Sequence, residues 1–340
     1  MITTNILRGV SVHILSLNIL IIFVLSYFTL VRSIQANTQV NKTSSKNIQT
    51  NHKSLTPQWK EEKICVFGDT GTAGKGQYLV AGALIDENCK QIRHLGDLIY
   101  PVGLKRLNDP QFERKFLAPY KHFMQEKIPF FLTLGNHDSL GKPEIWVELS
   151  KIHEAIQFPA LYYSDSFGPV CFFNLNTPRL NQISSWPFSN KETKKQIQWF
   201  KKEKKKLKRN CRFSIVLGHH PYRSSGFHGN AGSNLNRFFE RHVVGKIDLI
   251  LSGHEHQVSE EGTYKGTHQL ISGAGSKTRG ISSKKEGLFS AGELGYIVIK
   301  FTEDEKNKTV IAKYSLYSVT DEGKKVLNKQ GSITGQGIRN

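Results

Sequence analysis

Five short apolar runs in this chain each end in a glycine, and each glycine is followed by a residue that can bind a metal ion. The stretches read ICVF-GDTG, QIRHL-GDLIY, FFLTL-GNHD, SIVL-GHHP and LILS-GHEH. Short apolar runs that end in glycine are typical of buried strands in an α/β protein. Because ligands in such folds gather beyond the strand ends, we expect the five polar tips to converge on one site.

The residues at these tips can supply ligands for two neighbouring metal ions. They are Asp69, Asp97, Tyr100, Asn136, His219, His254 and His256. Carboxylates suit hard cations, and imidazole suits iron, zinc and similar ions. Asp97 is the carboxylate best placed to be shared. Two metal ions about 3.5–4 Å apart can hold both the attacking and the leaving oxygen of a phosphoryl displacement. The pattern therefore predicts the hydrolysis of phosphate esters.

Strand-like runs alternate with helix-like segments over most of the chain, which predicts an α/β fold. The helical segments include residues 112–124 and 143–156. Beyond residue 251 the chain becomes β-rich, beginning with a run at 268–272, and antiparallel strands fit this part better than further crossovers. We predict a single catalytic domain over residues 58–340.

The first 36 residues are separate from this domain. Arg8 precedes an apolar stretch over 10–31, and the small residue Ala36 follows, which is typical of a secretory signal peptide. The apolar stretch is also long enough for an uncleaved signal anchor that would tether the protein to a membrane. Residues 37–57 are polar and predict a linker. Either interpretation of residues 1–36 exports the catalytic domain, which would be periplasmic, secreted or membrane-anchored.

The net charge of +19 has a strong local component. Residues 191–212 hold eleven Lys and Arg against two Glu, which gives 11 − 2 = +9. The segment predicts an amphipathic helix whose basic face is either simply solvated or attracts anionic substrates or surfaces. Basic residues are not interleaved with aromatic ones in any regular way, so no specific nucleic-acid partner is expected.

The four cysteines are Cys65, Cys89, Cys171 and Cys211. They form no CxxC pair, which argues against a zinc–thiolate site. Export would permit disulfides, and buried free thiols are the alternative. The spacing leaves the pairing open.

Tyr100 narrows the interpretation of the metal site, because a phenolate is a rare ligand that favours a hard trivalent ion. The five blocks resemble the metallophosphoesterase signature, and the Tyr of GDLIY resembles the purple acid phosphatases, in particular the small tartrate-resistant type. The likeness extends to GNHDSLG, to the pair Tyr162–Tyr163, to WFKKE and to LISGAGS. It covers roughly residues 63–331.

The resemblance implies a sandwich of two mixed β-sheets flanked by helices. It also implies an Fe(III) site and a divalent site that takes Fe(II), Zn(II) or Mn(II). The Fe(III) ligands would be Asp69, Asp97, Tyr100 and His256, and the divalent ligands would be Asp97, Asn136, His219 and His254. His137 and His228 would be catalytic and would contact the phosphate or protonate the leaving group. Hydrolysis of a small phosphate monoester would follow attack by a metal-bound hydroxide.

Two departures from the family pattern and two alternative functions stay open. Thr70 replaces an aromatic residue, and His220 follows His219, so that either of these two histidines could be the ligand. We prefer His219 because Pro221 stands two residues later, as in the family. The alternative functions are a phosphodiesterase or nucleotidase of the same superfamily, and a surface binding protein with incidental phosphatase activity.

Overall fold

The computed structural model describes residues 61–181, 189–281, 287–304 and 306–340. The predicted signal segment at 1–36 and linker at 37–57 lie outside the described residues. Within the described ranges, no helix is both long enough and apolar enough to cross a membrane.

Two seven-stranded sheets make up the centre of the structure. The first sheet has the order β14-β13-β12-β1-β2-β3-β4, and the second has the order β11-β9-β10-β8-β7-β6-β5. The strands are β1 Glu61–Phe67, β2 Gln91–His94, β3 Phe130–Leu132, β4 Ile156–Gln157, β5 Tyr163–Phe167, β6 Val170–Asn174, β7 Phe213–Gly218, β8 Leu249–Ser252, β9 Val258–Tyr264, β10 Thr267–Ser272, β11 Phe289–Ala291, β12 Gly295–Asp304, β13 Thr309–Val319 and β14 Lys325–Thr334.

Both sheets mix parallel and antiparallel pairs. In the first sheet β1 to β4 are parallel, and β1 is also antiparallel to β12. In the second sheet β6, β7, β8 and β10 are parallel, and β5 and β9 join them antiparallel.

Helices cover the outer faces of the sheets. They are α1 Lys75–Ile85, α2 Pro110–Phe112, α3 Lys121–Gln125, α4 Asn136–Ser139, α5 Glu144–Ile152, α6 Thr177–Asn181, α7 Ser189–Leu207 and α8 Ser233–His242, with a π-helical turn at Glu113–Leu117 between α2 and α3. The basic segment forms α7 as predicted, with Phe200 buried and most of its lysines exposed.

The alternation of side chains along β1 explains the layers. Ile64 and Val66 point into a core shared with Phe172, Phe213 and other residues of the second sheet. Cys65 and Phe67 point the other way, into a core that includes helix α1. On the outer face of the second sheet a third core packs residues of β7 and β8 against α7 and α8. Side chains of β1 thus alternate between two cores, as expected of a strand that is buried on both faces. The layers confirm the predicted sandwich of two mixed sheets.

Two local helix predictions were wrong. The helix predicted over 112–124 is broken by the π-helical turn, which places the Lys115 ammonium group against the backbone oxygen of Tyr100. The helix predicted to reach residue 156 ends at Ile152, because Ile156 pairs with Phe130 in the first sheet. The antiparallel strands predicted beyond residue 251 are confirmed, because β10 is antiparallel to β9 and β12 is antiparallel to β13. On its other side β10 is parallel to β8.

Candidate metal centre

The five glycine-terminated runs are β1, β2, β3, β7 and β8 or their immediate extensions, and their carboxyl ends meet at one edge of the sandwich. The first sheet supplies Asp69, Asp97, Tyr100 and Asn136, and the second sheet supplies His219, His254 and His256. Backbone hydrogen bonds fasten the loops together: Asp69 N–H donates to Gly96 O at 2.9 Å, and Gly253 N–H donates to His219 O at 3.0 Å. The structure thus brings all seven predicted ligands into one neighbourhood.

Asp69 is the centre of one half of this cluster. The Tyr100 hydroxyl lies 3.0 Å from Asp69 Oδ1 and 3.2 Å from His256 Nε2, and His256 Nε2 is 3.5 Å from the same carboxylate oxygen. All three side chains are buried. These are the residues that the resemblance assigns to the Fe(III) site together with Asp97.

His219 links this half to the other. Its Nε2 lies 3.4 Å from Asp97 Oδ2, 3.0 Å from Asn136 Oδ1 and 3.9 Å from Asp69 Oδ1. Its Nδ1 lies 2.8 Å from the backbone oxygen of Leu95, a contact of the kind that orients a metal-binding histidine. One ligand atom each from Asp69, Asp97 and His219 fall within 4.8 Å of one another.

His254 and His220 lie beside His219 in different ways. The His254 ring centroid is 5.1 Å from that of His219, and its backbone N–H donates to Asp69 Oδ2 at 2.9 Å. The His220 ring instead lies 3.1 Å from the Thr177 hydroxyl through Nδ1. The imidazole that faces the carboxylates is therefore that of His219, which is the residue preferred from the sequence, and its role as a ligand stays a prediction.

The donor set fits a pair of metal ions. Two carboxylates, a phenol, an amide oxygen and imidazoles converge in a buried region, and hard and borderline cations take these atoms as ligands. His256 Nε2 faces Asp69 and Tyr100, whereas its buried Nδ1 makes no hydrogen bond to any described residue. The glycines leave the necessary room, because a Cβ at Gly135 would overlap the Asp97 carboxylate and one at Gly253 would lie 2.5 Å from Asp69 Oδ2.

Charge interactions within the cluster are strong. Burial alone would lower the pKa of His219, but Asp97 and Asp69 outweigh it and raise this pKa to about 10. Burial alone would raise the pKa of Asp97, but His219 and His137 hold it below its usual range. Burial and the two carboxylates raise the pKa of Tyr100 well above its usual value. Because metal ions bind the deprotonated forms of such groups, metal binding at this cluster would be coupled to the release of protons.

Three predicted ligands have left-handed backbone conformations that residues other than glycine seldom adopt. The φ angles are 59° for Asp69, 54° for Asp97 and 69° for His254. Such conformations cost on the order of 1 kcal/mol each and are concentrated at functional sites. The left-handed bend turns each chain away from its strand direction and aims the side chain at the cluster.

The two predicted catalytic histidines flank the ligands on opposite sides. The His137 ring lies 4.4 Å from the Tyr100 ring, with Nδ1 2.6 Å from Pro101 O and Nε2 4.0 Å from Asp97 Oδ2. The His228 ring stacks on the His254 ring at 4.3 Å. Both side chains are partly exposed, so each joins the cluster to solvent.

Four further residues at the site were missed by the sequence analysis. Buried Asp138 accepts backbone N–H bonds from Leu98 at 3.0 Å and Gly135 at 2.8 Å, which holds two ligand loops together. Burial and Asp97 raise the pKa of Asp138 to about 7.

The other three missed residues contact His228 or Tyr100. They are Glu255, which contacts His228, Lys277, which lies over Tyr100, and Arg279, which contacts His228. No motif points to them, because their contacts form only when the loops at 224–229 and 276–280 fold over the strand ends. A weak signal existed for Glu255, which stands between two predicted ligands.

Comparison with known proteins agrees with this geometry. Residues 62–258 match the calcineurin-like phosphoesterase family. Purple acid phosphatase 7 of Arabidopsis thaliana is 31% identical over 234 residues, which cover 62% of this chain and 69% of that protein. Human tartrate-resistant acid phosphatase type 5 is 27% identical over 198 residues, or 54% of this chain, and the match spans only 60% of the human protein.

A solved structure has the same fold. It is described as GAP50, the anchor in the inner membrane complex of Plasmodium, and it superposes with a TM-score of 0.68 over 83% of this chain and 90% of its own, at 22% identity. That likeness concerns the fold alone. From the family match and the Arabidopsis relative, the chain belongs to the calcineurin-like phosphoesterases and, among them, to the purple acid phosphatases.

Proposed function

We propose that this protein is an exported acid phosphatase that hydrolyses phosphate monoesters at a dinuclear Fe(III)–M(II) centre. The observation that carries the proposal is the approach of Asp69, Asp97 and His219 within 4.8 Å, with the Tyr100 hydroxyl 3.0 Å from Asp69. A phenol in contact with such a cluster supports iron, because phenolate favours hard trivalent ions. The other predicted ligands, Asn136, His254 and His256, lie in the same neighbourhood and support a second site beside the first.

Bound metal ions would polarise the phosphoryl oxygens and lower the pKa of a coordinated water. The remaining work falls to groups of the chain. The contact of His137 Nδ1 with Pro101 O fixes the ring, so that protonated His137 would donate from Nε2 to a phosphoryl oxygen. His228 is held through Nδ1 by Glu255. Once Arg279 releases Nε2 and this nitrogen is protonated, His228 would donate the proton to the departing alkoxide.

Two disulfides support export. The chain pairs Cys65 with Cys89 and Cys171 with Cys211, each with Cα atoms 5.7 Å apart. All four cysteines are therefore paired, and disulfides persist in oxidising compartments. The apolar segment before the catalytic domain agrees with passage across a membrane.

Metal analysis and kinetics on the purified full-length protein test the proposal. We expect two metal ions per chain, including iron, and hydrolysis of p-nitrophenyl phosphate at acid pH. Asp97→Asn should lower kcat/KM by about 10³-fold or more, because it weakens the shared ligand. Protein that binds two metals but cleaves no phosphate ester would instead support a binding role.

The substrate panel separates the alternatives. Wild-type protein is compared on p-nitrophenyl phosphate, bis(p-nitrophenyl) phosphate and ATP. A preference of about tenfold or more for the diester or for ATP, equivalent to roughly 1.4 kcal/mol in the barrier, would replace the monoesterase proposal by a phosphodiesterase or nucleotidase.

A further inference from the structure

We propose that Lys277 and Arg279 form a cationic subsite that binds a second anionic group of the substrate, next to the phosphoryl group that is hydrolysed. This inference rests on the proposed phosphatase function and concerns which esters that site prefers. Both residues lie in the segment that follows β10, immediately after the sequence LISGAGS. We call Lys277 and Arg279 the cationic pair.

Lys277 stands over the iron side of the predicted centre. Its Nζ lies 3.7 Å from the centroid of the Tyr100 ring, and the side chain is partly exposed. No carboxylate in the described part of the chain comes within 4.0 Å of this ammonium group. The charge of Lys277 is thus held beside the ligand cluster, with no direct anionic partner in the part of the chain that the structure describes.

Arg279 stands on the opposite side, over the predicted leaving-group histidine. One guanidinium nitrogen, Nη1, is 2.6 Å from His228 Nε2, and the guanidinium carbon is 5.5 Å from the centroid of the Phe227 ring. Arg279 is exposed, and among the described residues no carboxylate pairs with it. Within the described ranges, His228 is the one side chain to which this guanidinium group is hydrogen-bonded.

The backbone of this segment is fixed above the site. Arg279 N–H donates to His256 O at 3.2 Å, and Ser276 Oγ donates to Asp69 O at 2.7 Å. His256 lies between Tyr100 and His228. The Tyr100 hydroxyl is 3.2 Å from His256 Nε2, and the ring centroids of His228 and His256 are 6.4 Å apart. The cationic pair therefore lies beside the predicted centre, with Lys277 at Tyr100 and Arg279 at His228.

Charge balance indicates what such a pair would bind. Asp69 and Asp97 would be neutralised by the metal ions, and no carboxylate among the described residues forms an ion pair with either member of the cationic pair. The planar fork of Arg and the point charge of Lys are the side chains that recognise phosphate and carboxylate oxygens. A substrate whose leaving group carries its own phosphoryl or carboxylate group would place that charge between them.

A purely structural role makes a different prediction. If Lys277 only compensates the carboxylates, or if Arg279 only orients His228, then replacing either residue changes the hydrolysis of all esters by a similar factor. A subsite for a second anion changes the preference between substrates. The deciding quantity is accordingly a ratio of kcat/KM values.

The experiment uses metal-loaded full-length protein and three substrates: p-nitrophenyl phosphate, whose leaving group has no second anionic group, inorganic pyrophosphate and 2-phosphoglycolate. Lys277→Gln, Arg279→Gln and the double variant are compared with Lys277→Arg and Arg279→Lys. We expect the ratio of kcat/KM for pyrophosphate to that for p-nitrophenyl phosphate to fall by about tenfold or more in the Gln variants, and to stay within about threefold in the charge-conserving variants. If the ratio for 2-phosphoglycolate falls in the same way, the subsite also accepts a carboxylate as the second anionic group. If only the ratio for pyrophosphate falls, the subsite is specific for phosphoryl groups.

Lys313→Gln is the matched control, because Lys313 is an exposed lysine on β13. It should leave the ratio unchanged. An unchanged ratio in the double variant overturns the subsite while leaving the phosphatase proposal intact.

If wild-type protein hydrolyses none of these substrates, the proposed phosphatase function is wrong. The subsite is then tested separately by measuring ligand binding with calorimetry. Methylenediphosphonate should bind wild-type protein about tenfold more tightly than phosphate does, and the double variant should lose this preference. Equal preferences in the two proteins would overturn the subsite, and metal analysis after titration excludes stripping of the centre.

Discussion

Glu255 Oε2 lies 3.3 Å from His228 Nδ1 and orients the imidazole that faces the predicted metal centre. The same carboxylate accepts the backbone N–H groups of His228 at 3.1 Å and Gly229 at 2.8 Å, and the Ser224 hydroxyl at 3.0 Å. His228 Nδ1 carries the proton and donates it in a hydrogen bond to Glu255. His228 Nε2 accepts a hydrogen bond from Arg279, so the two contacts assign one tautomer of His228. Glu255 is therefore a positioning residue for the proposed leaving-group acid.

Glu255→Gln should lower kcat by about ten- to a hundredfold, because the amide cannot accept all of these hydrogen bonds and the ring loses its orientation. KM for p-nitrophenyl phosphate should change by less than about threefold, and the pH profile of kcat should shift or flatten. Glu261→Gln is the control: Glu261 is equally buried and bonds Ser225 and Ser259. Equal losses in both variants would mean that Glu255 only supports the fold.

Tyr100→Phe tests the phenolate. Oxidised wild-type protein should absorb visible light through charge transfer from Tyr100 to Fe(III), and the variant should lose this band. The substitution keeps the ring but removes the hydroxyl beside Asp69 and His256, which is itself a predicted iron ligand. Iron content is therefore measured on the same sample. A band that persists at full iron content would exclude Tyr100 as the source of the colour.

Gly135→Ala tests the space that the centre requires. A Cβ at this position would overlap the Asp97 carboxylate, and Asp97 cannot retreat because Oδ1 accepts the His137 N–H at 2.9 Å. We expect metal affinity to fall by about tenfold or more and phosphatase activity to fall with it. Both are measured by metal titration and kinetics.

Gly82→Ala is the matched control for that substitution. Gly82 lies within helix α1, and nothing comes within 4 Å of a Cβ built there. Alanine should leave metal binding unchanged and raise the free energy of unfolding by about 0.5–1 kcal/mol, because glycine in a helix interior costs conformational entropy. A loss of metal affinity in this variant too would show that the effect at Gly135 is not local.

The site was predictable to the extent that it lies on strand ends. A glycine and a ligand after an apolar run form a local pattern, and the parallel strands β1 to β3 and β7 to β8 then carry those tips to one edge. Strand β9 was missed because its sequence, VSEEGTY, buries polar residues, including Glu260 and Glu261, which hydrophobic patterning assigns to the surface. Glu255, Lys277 and Arg279 act through contacts between distant loops, which no local pattern encodes.

The two disulfides should be present in protein isolated without reductant, and none of the four cysteines should react with an alkylating reagent. The bonds close loops with sequence separations of 24 and 40 residues. Replacing Cys171 and Cys211 by serine should lower the free energy of unfolding by about 4 kcal/mol, and replacing Cys65 and Cys89 should lower it by about 3.5 kcal/mol, because the unfolded chain gains loop entropy. Denaturant unfolding of each double variant measures these losses. Rapid alkylation of native protein would contradict the pairing.

Glu87 joins three strands of the first sheet and should control the acid stability of the fold. Its carboxylate lies 2.7 Å from Lys325 Nζ on β14, 3.4 Å from Lys63 Nζ on β1 and 3.0 Å from the Tyr296 hydroxyl on β12, and only 5% of the side chain is exposed. Burial alone would raise the pKa of Glu87, but the hydrogen bonds from Lys325 and Tyr296 outweigh it and lower this pKa below its ordinary value of 4.5. Because the folded state then binds fewer protons than the unfolded state, this contribution to stability is complete above pH 4.5 and is lost as the pH falls below it.

Glu87→Gln should lower the free energy of unfolding at pH 7 by about 2 kcal/mol, since two ammonium groups lose their buried partner. The difference from wild type should shrink as the pH falls below 4.5, because protonation removes the same charge from wild-type Glu87. Glu61→Gln is the control: its carboxylate pairs with Lys300 at 2.7 Å, but the side chain is 52% exposed, so the cost should stay below about 1 kcal/mol. Urea unfolding between pH 3.5 and pH 7, in steps of about half a unit, measures all three proteins. A constant difference between Glu87→Gln and wild type across this range would mean that the Glu87 charge does not set the acid limit of the fold.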